Sequence, residues 1–254
     1  MSKKERPIPA HPLEVGLRRR GFAFGAFATA AALPLVRVAT AQEAPPPFPT
    51  MVEFTFKGRG TTGTALLSYD VKGNRLALSG FEGMGVKSSD VMESNFASGD
   101  LSLEQGVIYD EQKPRPFKQS MVRRKGGGLL DPEGFIYDYT RSTEAGTTST
   151  ELDSRFTVVD FLTMFVVAAD YVRRGENTAR NLSILRDRSL QHVVLTRGSE
   201  ADFGGQKAVE VKLTAPGDAK GGFRYFIAEQ NGLYVPVKFT VPGQGIEMTG
   251  QMIK

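Results

Sequence analysis

Residues 158–174, VVDFLTMFVVAADYVRR, form the one long helical signal after the first 41 residues and decide the expected fold. Thr157 followed three residues later by Asp160 is a capping pattern, and two arginines before Gly175 are typical of a helix C-terminus. The nine residues between Asp160 and Asp170 are apolar nearly all round the helix, so it must be buried on most sides. A bilayer span needs about 20 residues, so this nine-residue apolar run is too short to cross a membrane. We therefore expect the helix to be buried inside a curved sheet.

Nearly everything on either side of this helix alternates between apolar and polar residues, as β-strands do. The last third contains the clearest run of strands, with turn signals at 231–232 and 242–245. A polar loop or an irregular hairpin tip is expected at 142–150, and the polar segment 176–190 could carry a short second helical turn. The sequence therefore predicts a mainly β fold, an antiparallel β-barrel or half-barrel of roughly ten strands with one central amphipathic-to-apolar helix.

The N-terminal segment has the pattern of a signal peptide. Three arginines at 18–20 precede the apolar run 21–36, and small residues end the segment at Ala41. This pattern predicts export to the periplasm and cleavage after Ala41. Arg19-Arg20-Gly21-Phe22 resembles the twin-arginine export motif, with the general secretory route as the alternative. A Pro-rich, poorly ordered lead-in is expected at 42–50, followed by a single domain at 51–254.

Composition limits the classes of function. Residues 1–41 hold seven of the 32 basic and two of the 28 acidic residues, which leaves 25 basic and 26 acidic residues and a net charge of −1. This balance gives no support for nucleic-acid binding. The chain has no cysteine, so burial alone must hold the fold and no lipid can be attached through a cysteine. We therefore expect a protein that is soluble or at most peripheral to a membrane.

Three segments carry a family resemblance. They are an opening hairpin at 57–78 (KGRGTTGTALLSYDVKGNRLAL), an Asp-led apolar helix after a strand at 156–175 (FTVVDFLTMFVVAADYVRRG), and a terminal hairpin at 233–253 (LYVPVKFTVPGQGIEMTGQMI). From Phe54 onward, the order of these segments resembles the exported proteins grouped as DUF3108, a domain of unknown function. The resemblance implies an envelope-located, antiparallel, barrel-like β fold and no known catalytic residues. A looser likeness is to the lipoprotein-carrier half-barrels, in which a sheet with a helical lid holds acyl chains.

Candidate catalytic chemistry is sparse. His192 is the sole histidine after residue 41, and no Gly-x-Ser-x-Gly motif accompanies it. A zinc site is not expected with one histidine and no cysteine, and the acidic residues 131, 133 and 138 lack the spacing of a calcium loop. The sequence therefore predicts no catalytic residue, no metal and no cofactor. A hydrolase with two carboxylates from distant strands stays open as an alternative.

Aromatic residues carry the remaining functional signal. An incompletely filled barrel could admit an acyl chain or another apolar ligand between the sheet and the helix. We expect a non-enzymatic envelope protein that binds an apolar or amphipathic ligand, such as a lipid, or an envelope partner in the concave face of the sheet. A ligand-free structural role in envelope integrity is the alternative. The expected ligand contacts, with the two arginines at the rim, are Tyr139, Phe161, Met164, Phe165, Arg123 and Arg124.

Overall fold

The computed structural model describes residues 45–58, 61–82, 91–110, 117–124, 134–186, 189–216, 222–242 and 245–253 of the chain. The predicted signal peptide, with its cleavage site at Ala41, and the glycine-rich loop at 125–128 lie outside these residues. No described helix has the length and hydropathy needed to cross a membrane.

The described residues form fifteen strands and one helix. Their bounds are β1 Met51–Gly58, β2 Thr61–Asp70, β3 Arg75–Glu82, β4 Val91–Phe96, β5 Leu103–Asp110, β6 Phe117–Arg123, β7 Phe135–Thr143, β8 Gly146–Ser154, β9 Thr157–Val159, α1 Thr163–Arg173, β10 Arg180–Arg186, β11 Ser189–Phe203, β12 Gln206–Thr214, β13 Phe223–Gln230, β14 Leu233–Val241 and β15 Ile246–Met252.

All fifteen strands belong to one sheet, in the order β8-β7-β6-β5-β4-β3-β2-β1-β15-β14-β13-β12-β11-β10-β9. Neighbouring strands are antiparallel except β9 and β10, which are parallel. The two terminal strands follow each other in the chain, and β8 contacts β11 while β9 contacts β5. The hydroxyls of Ser154 in β8 and Ser183 in β10 are 2.6 Å apart, within hydrogen-bond distance. The sheet therefore curls into a nearly closed barrel, which confirms the mainly β, barrel-like fold.

The number of strands is larger than the predicted ten, because two polar segments are strands. Residues 142–150, expected to be a polar loop or an irregular hairpin tip, belong to the regular β7–β8 hairpin, where hydroxyls pair across the strands between Thr140 and Ser149 and between Ser142 and Thr147. Most of the polar segment 176–190 lies in β10 and the start of β11. Strand β8 lacks apolar alternation and is held by its neighbour in the sheet, so periodicity does not reveal it, and β10 alternates only briefly, at Leu182 and Ile184.

Helix α1 is shorter than predicted at its N-terminus. Val158 and Val159 lie in β9 and pair with β10, which suits β-branched residues, and the regular helix begins at Thr163. The predicted C-terminus is confirmed, since Gly175 has φ +63°. The N–H of Gly175 donates to the Val172 carbonyl at 3.0 Å and that of Glu176 to the Tyr171 carbonyl at 3.2 Å. These two bonds satisfy carbonyls that the helix end leaves open.

The helix is buried on every side, as its apolar character indicates. Every residue from Thr163 to Tyr171 is buried. The Phe165 ring lies 5.5 Å from Phe54, 5.2 Å from Tyr225 and 6.0 Å from Phe239, measured between ring centroids. The space between this face of the helix and strands β1, β13 and β14 is therefore filled by side chains.

Part of the Pro-rich lead-in is packed against the barrel. Phe48 is 4% exposed and packs edge-on against Tyr69 at 5.8 Å. The Pro47 carbonyl accepts a hydrogen bond from the Tyr234 N–H at 2.8 Å, and the Thr50 carbonyl accepts one from the Tyr69 N–H at 2.9 Å. Residues 45–50 have no regular secondary structure, but these contacts hold them in place.

Candidate functional site

Asp160 occupies the turn that leads from β9 into α1. Its Oδ1 accepts hydrogen bonds from the Leu162 N–H at 3.1 Å, the Thr163 N–H at 2.8 Å and the Thr163 hydroxyl at 3.0 Å. In return, the Asp160 N–H donates to Thr163 Oγ1 at 2.8 Å. This reciprocal pair resembles a capping box, so Asp160 itself caps the helix, and the predicted cap at Thr157 is wrong because Thr157 lies in strand β9.

The second carboxylate oxygen of Asp160 lies above two small residues of the sheet. Ser94 in β4 pairs with Gly106 in β5, and Gly106 pairs with Met121 in β6. The Ser94 hydroxyl donates a hydrogen bond to Asp160 Oδ2. A β-carbon added at Gly106 would lie only 3.0 Å from the same oxygen. The lack of a side chain at Gly106 therefore makes room for the carboxylate.

A partly enclosed cleft of about 70 Å³ opens beside this carboxylate, and we call it the Asp160 cleft. It lies between strands β4 to β6 on one side and the start of α1 and β10 on the other. Met92, Ile108 and Gln119 form one row across β4, β5 and β6, next to the buried row of Ser94, Gly106 and Met121. The lining residues are Met92, Leu103, Gly106, Ile108, Gln119, Ser120, Met121, Asp160, Phe161 and Leu185.

The walls of the Asp160 cleft are mostly apolar, and Asp160 is the one charged residue among those that line it. Burial raises the pKa of Asp160 above its ordinary value of 3.8, and the hydrogen bonds from Ser94, Thr163 and Leu162 oppose this rise without cancelling it. Within the described part of the chain, no lysine or arginine pairs with this carboxylate. The cleft therefore combines apolar walls with a desolvated acid.

Two buried tyrosine hydroxyls lie within the electrostatic reach of Asp160. Tyr137 donates to the Leu103 carbonyl at 2.6 Å, and its pKa is raised mainly by burial. Tyr225 is fully buried, its hydroxyl has no hydrogen-bond partner among the described residues, and its pKa is raised by burial and by the charge of Asp160. Both tyrosines stay neutral near pH 7, and a tyrosine carries no positive charge in either protonation state, so neither compensates the carboxylate.

The residues predicted to bind a ligand are not all brought together. Phe161 is half-buried and lines the Asp160 cleft, with its ring 5.4 Å from Phe165 and 5.1 Å from Phe239. Met164 and Phe165 have no exposed surface and pack in the core behind it. Tyr139 is 2% exposed and belongs to a small cluster with Met121 and Tyr137, among others. The structure thus brings Phe161 to the cleft and leaves the other three predicted contacts in packed regions.

The predicted rim arginines are engaged elsewhere. Arg123 donates to the Ser102 hydroxyl at 2.8 Å and lies over the Phe135 ring at 4.7 Å. Arg124 is exposed and pairs with Asp138 and, at 2.7 Å, with Glu151. Neither arginine is among the residues that line the Asp160 cleft.

His192 is a partly buried strand residue. Its Nε2 lies 3.0 Å from the Asn181 side-chain oxygen, and its ring stacks on Phe156 at 4.5 Å. In the described ranges, no group of three or more His, Cys, Asp or Glu residues could hold a metal ion.

Sequence reasoning missed most of the cleft. Gly106 and Ile108 in β5 and Leu185 in β10 are more than 70 residues apart in the chain, and no motif marks them. One signal was present, because Gly106 interrupts a strand-like segment. A glycine inside a strand often marks a close approach of another group.

No family model matches the chain, and no curated protein matches it. Among solved structures, the chain is similar to the crystal structure of a β-barrel-like protein of the domain of unknown function DUF1849 from Brucella abortus. The two are 11% identical, the match covers 83% of this chain and 98% of that one, and the TM-score is 0.41. The resemblance to DUF3108 stays a prediction from the sequence.

Proposed function

We propose that this is an exported, non-enzymatic protein of the cell envelope that binds an apolar or amphipathic, lipid-like ligand in the Asp160 cleft. The observation that carries the proposal is the partly enclosed cleft beside the start of the helix, with mostly apolar walls and one charged residue, Asp160. Ligand sites in proteins have this composition, mostly apolar with a few placed polar groups. The DUF3108 resemblance and the signal-peptide pattern support the location in the envelope.

The size of the cleft limits what it can hold. A volume of about 70 Å³ accepts roughly five water-sized groups, which is well below the space that encloses a whole drug-sized ligand. We therefore expect the cleft to take one end of an amphiphile, with the rest of the molecule extending past Ile108 and Leu185. The expected site thus moves from the helix–sheet interface, where Met164 and Phe165 are packed, to the N-terminal end of the helix.

Binding of N-phenyl-1-naphthylamine, an apolar fluorescent probe, tests the proposal. Ile108 is half-buried at the mouth of the cleft, so Ile108→Trp should fill it and weaken probe binding about tenfold. Val122 is 43% exposed in the neighbouring strand β6 and does not line the cleft, so Val122→Trp is the matched control. Both variants introduce the same side chain into a chain that lacks tryptophan.

Two results would argue against this function. One is the absence of probe binding by the unaltered protein, together with no co-purified amphiphile in mass spectra of the native sample. The other is equal binding by both tryptophan variants, which would place the probe elsewhere. Export is tested separately, because a secreted product that begins at Gln42 is expected if the chain is cleaved after Ala41.

A structural role without a ligand is the second candidate, and the packed helix favours it. Every residue from Thr163 to Tyr171 is buried, so the interior beside α1 has the character of a core. This alternative predicts a deletion strain that is sensitive to detergent and is rescued fully by the Ile108→Trp variant. Ligand binding predicts that this variant fails to rescue.

The hydrolase with two carboxylates has less support. It requires a second acid about 5–10 Å from the first in the same cleft. Asp160 is the one acidic residue among those that line the Asp160 cleft.

A further inference from the structure

Three acidic residues with little exposed surface can be compared: Asp170 and Glu210 are buried and neutralised by cations, whereas Asp160 is partly buried. Asp170, 2% exposed, pairs with Arg173 at 2.8 Å and with Arg174 at 2.7 Å. Glu210, 4% exposed, pairs with two cations, Lys212 at 3.3 Å and Arg224 at 3.4 Å. Buried charges are normally paired in this way, because an unpaired charge loses its hydration without compensation.

Asp160 is the exception among these three acids. The donors to its carboxylate are neutral hydroxyl and N–H groups of Ser94, Leu162 and Thr163. It is also the acid that lines a cleft. The carboxylate that lacks a cationic partner is therefore also the one that borders the open cleft.

The hydrogen bonds of the carboxylate leave room for one more donor. Oδ1 accepts three bonds and is saturated, while Oδ2 accepts one bond, from Ser94. A carboxylate oxygen has two lone pairs, so Oδ2 can accept a further hydrogen bond. The groups nearest to Oδ2 on the sheet side are Gly106 and Ser94, and neither can supply a positive charge.

We infer that the Asp160 cleft recognises the protonated primary amine of an amphiphile, with the ammonium group on Oδ2 and the first methylene groups against Met92, Ile108 and Leu185. This inference rests on the proposed function and names the class of ligand. An ammonium group donates three hydrogen bonds and supplies the charge that the site lacks. Arg141 pairs with Gln119 across strands β6 and β7 and does not itself line the cleft. If the charge of Arg141 outweighed that of Asp160, the cleft would favour an anionic ligand over an amine.

The test compares three ligands with the same tail, octylamine, octanol and octanoate, by isothermal titration calorimetry on the purified protein at pH 7. We expect octylamine to bind about tenfold more tightly than octanol, and octanoate to bind most weakly, because a carboxylate would face Asp160. This ranking of the three affinities is measured on the unaltered protein, so it can be tested even if a variant does not fold.

The variant Asp160→Asn removes the charge and keeps a side chain that can cap the helix. We expect it to lose the preference, so that octylamine binds about as weakly as octanol. Asp153→Asn is the matched control, because it makes the same chemical change at an exposed residue of strand β8 that does not line the cleft. If Asp160→Asn does not fold, Gly106→Ala serves instead, since its methyl group would cover Oδ2.

The outcomes distinguish the amine inference from the proposed binding of amphiphiles in general. Equal binding of all three ligands, tighter binding of octanol or octanoate, or retained preference for octylamine in Asp160→Asn would each overturn the amine inference and leave amphiphile binding standing. Failure of all three ligands and of the naphthylamine probe would overturn the proposed function itself.

Discussion

The Asp160 carboxylate lies directly against the backbone of Gly106, so that a β-carbon at Gly106 would be 3.0 Å from Oδ2. This contact joins the start of α1 to the middle of β5, two elements more than 50 residues apart in the chain. Because Asp160 is held by the capping box with Thr163, its side chain cannot move aside freely. The stability of the barrel and the shape of the Asp160 cleft therefore depend on the same contact.

Replacement of Gly106 by alanine should destabilise the protein by about 1–2 kcal/mol, since the added methyl group forces the carboxylate or the strand to shift. Gly73→Ala is the matched control. A β-carbon there would also lie 3.0 Å from a carboxylate oxygen, that of Asp70, but both residues are exposed and the side chain can give way. Urea unfolding measures both variants, and an equal loss of stability would show that Asp160 is not held in place.

The unfolding free energy of Asp160→Asn, minus that of the unaltered protein, should rise with pH. Burial raises the pKa of Asp160 in the folded state above 3.8, so the folded protein holds this proton more tightly than the unfolded chain. The stability that this proton contributes is present below the unfolded pKa and is lost as pH rises through the folded pKa. The neutral asparagine has no such loss. Unfolding free energies from pH 4 to pH 8 test this, and a difference that shrinks with rising pH would contradict it.

Acidification should weaken the binding of octylamine. The ammonium group stays charged throughout, while Asp160 becomes neutral at a pH above the ordinary aspartate value of 3.8. The titratable groups that Asp160 influences from the facing elements, Tyr137 and Tyr225, stay protonated over this range because their pKa values are raised. Affinities measured between pH 4 and pH 8 should fall on acidification for octylamine and change little for octanol.

The Asp170 cluster at the other end of α1 should matter for stability and not for the cleft. Asp170→Asn leaves Arg173 and Arg174 without their buried partner, and the expected cost is about 3 kcal/mol. Glu247→Gln, which removes a half-exposed partner of Lys238 at 3.0 Å, should cost less than about 1 kcal/mol. Thermal unfolding measures both, and octylamine binding at 20 °C should be unchanged in each folded variant.

Alanine substitutions of Phe165 and Phe161 should differ in their effects, the first mainly on stability and the second mainly on octylamine affinity. Phe165→Ala removes a fully buried ring in contact with Phe54 and Tyr225, with an expected cost of about 3–5 kcal/mol. Phe161→Ala removes a half-buried ring from the wall of the cleft, so it should cost less stability and more affinity for octylamine. Calorimetry and urea unfolding on the two variants give both quantities. The reverse ranking would place the ligand at the helix–sheet interface.

The sequence predicted the elements that depend on local chemistry. The cap at Gly175, the burial of the helix and the barrel-like β class all follow from residue types at short spacing. The strand count was too low in part because β8 consists mostly of exposed polar residues, whose pattern does not differ from that of a loop. Ser94, Gly106 and Asp160 meet only through the register of the sheet, so the cleft could not be derived from spacing along the chain.

The most direct test of ligand binding in the Asp160 cleft is a methyl NMR titration with octylamine on protein labelled at its methionine methyl groups. Met92 and Met121 line the cleft, whereas Met248 lies in β15 and is not among the lining residues. The account predicts that saturable shifts occur at Met92 and Met121, that Met248 is unchanged, and that the shifts are lost in Asp160→Asn. Shifts confined to Met248, or shifts at Met92 and Met121 that persist unchanged in Asp160→Asn, would contradict it.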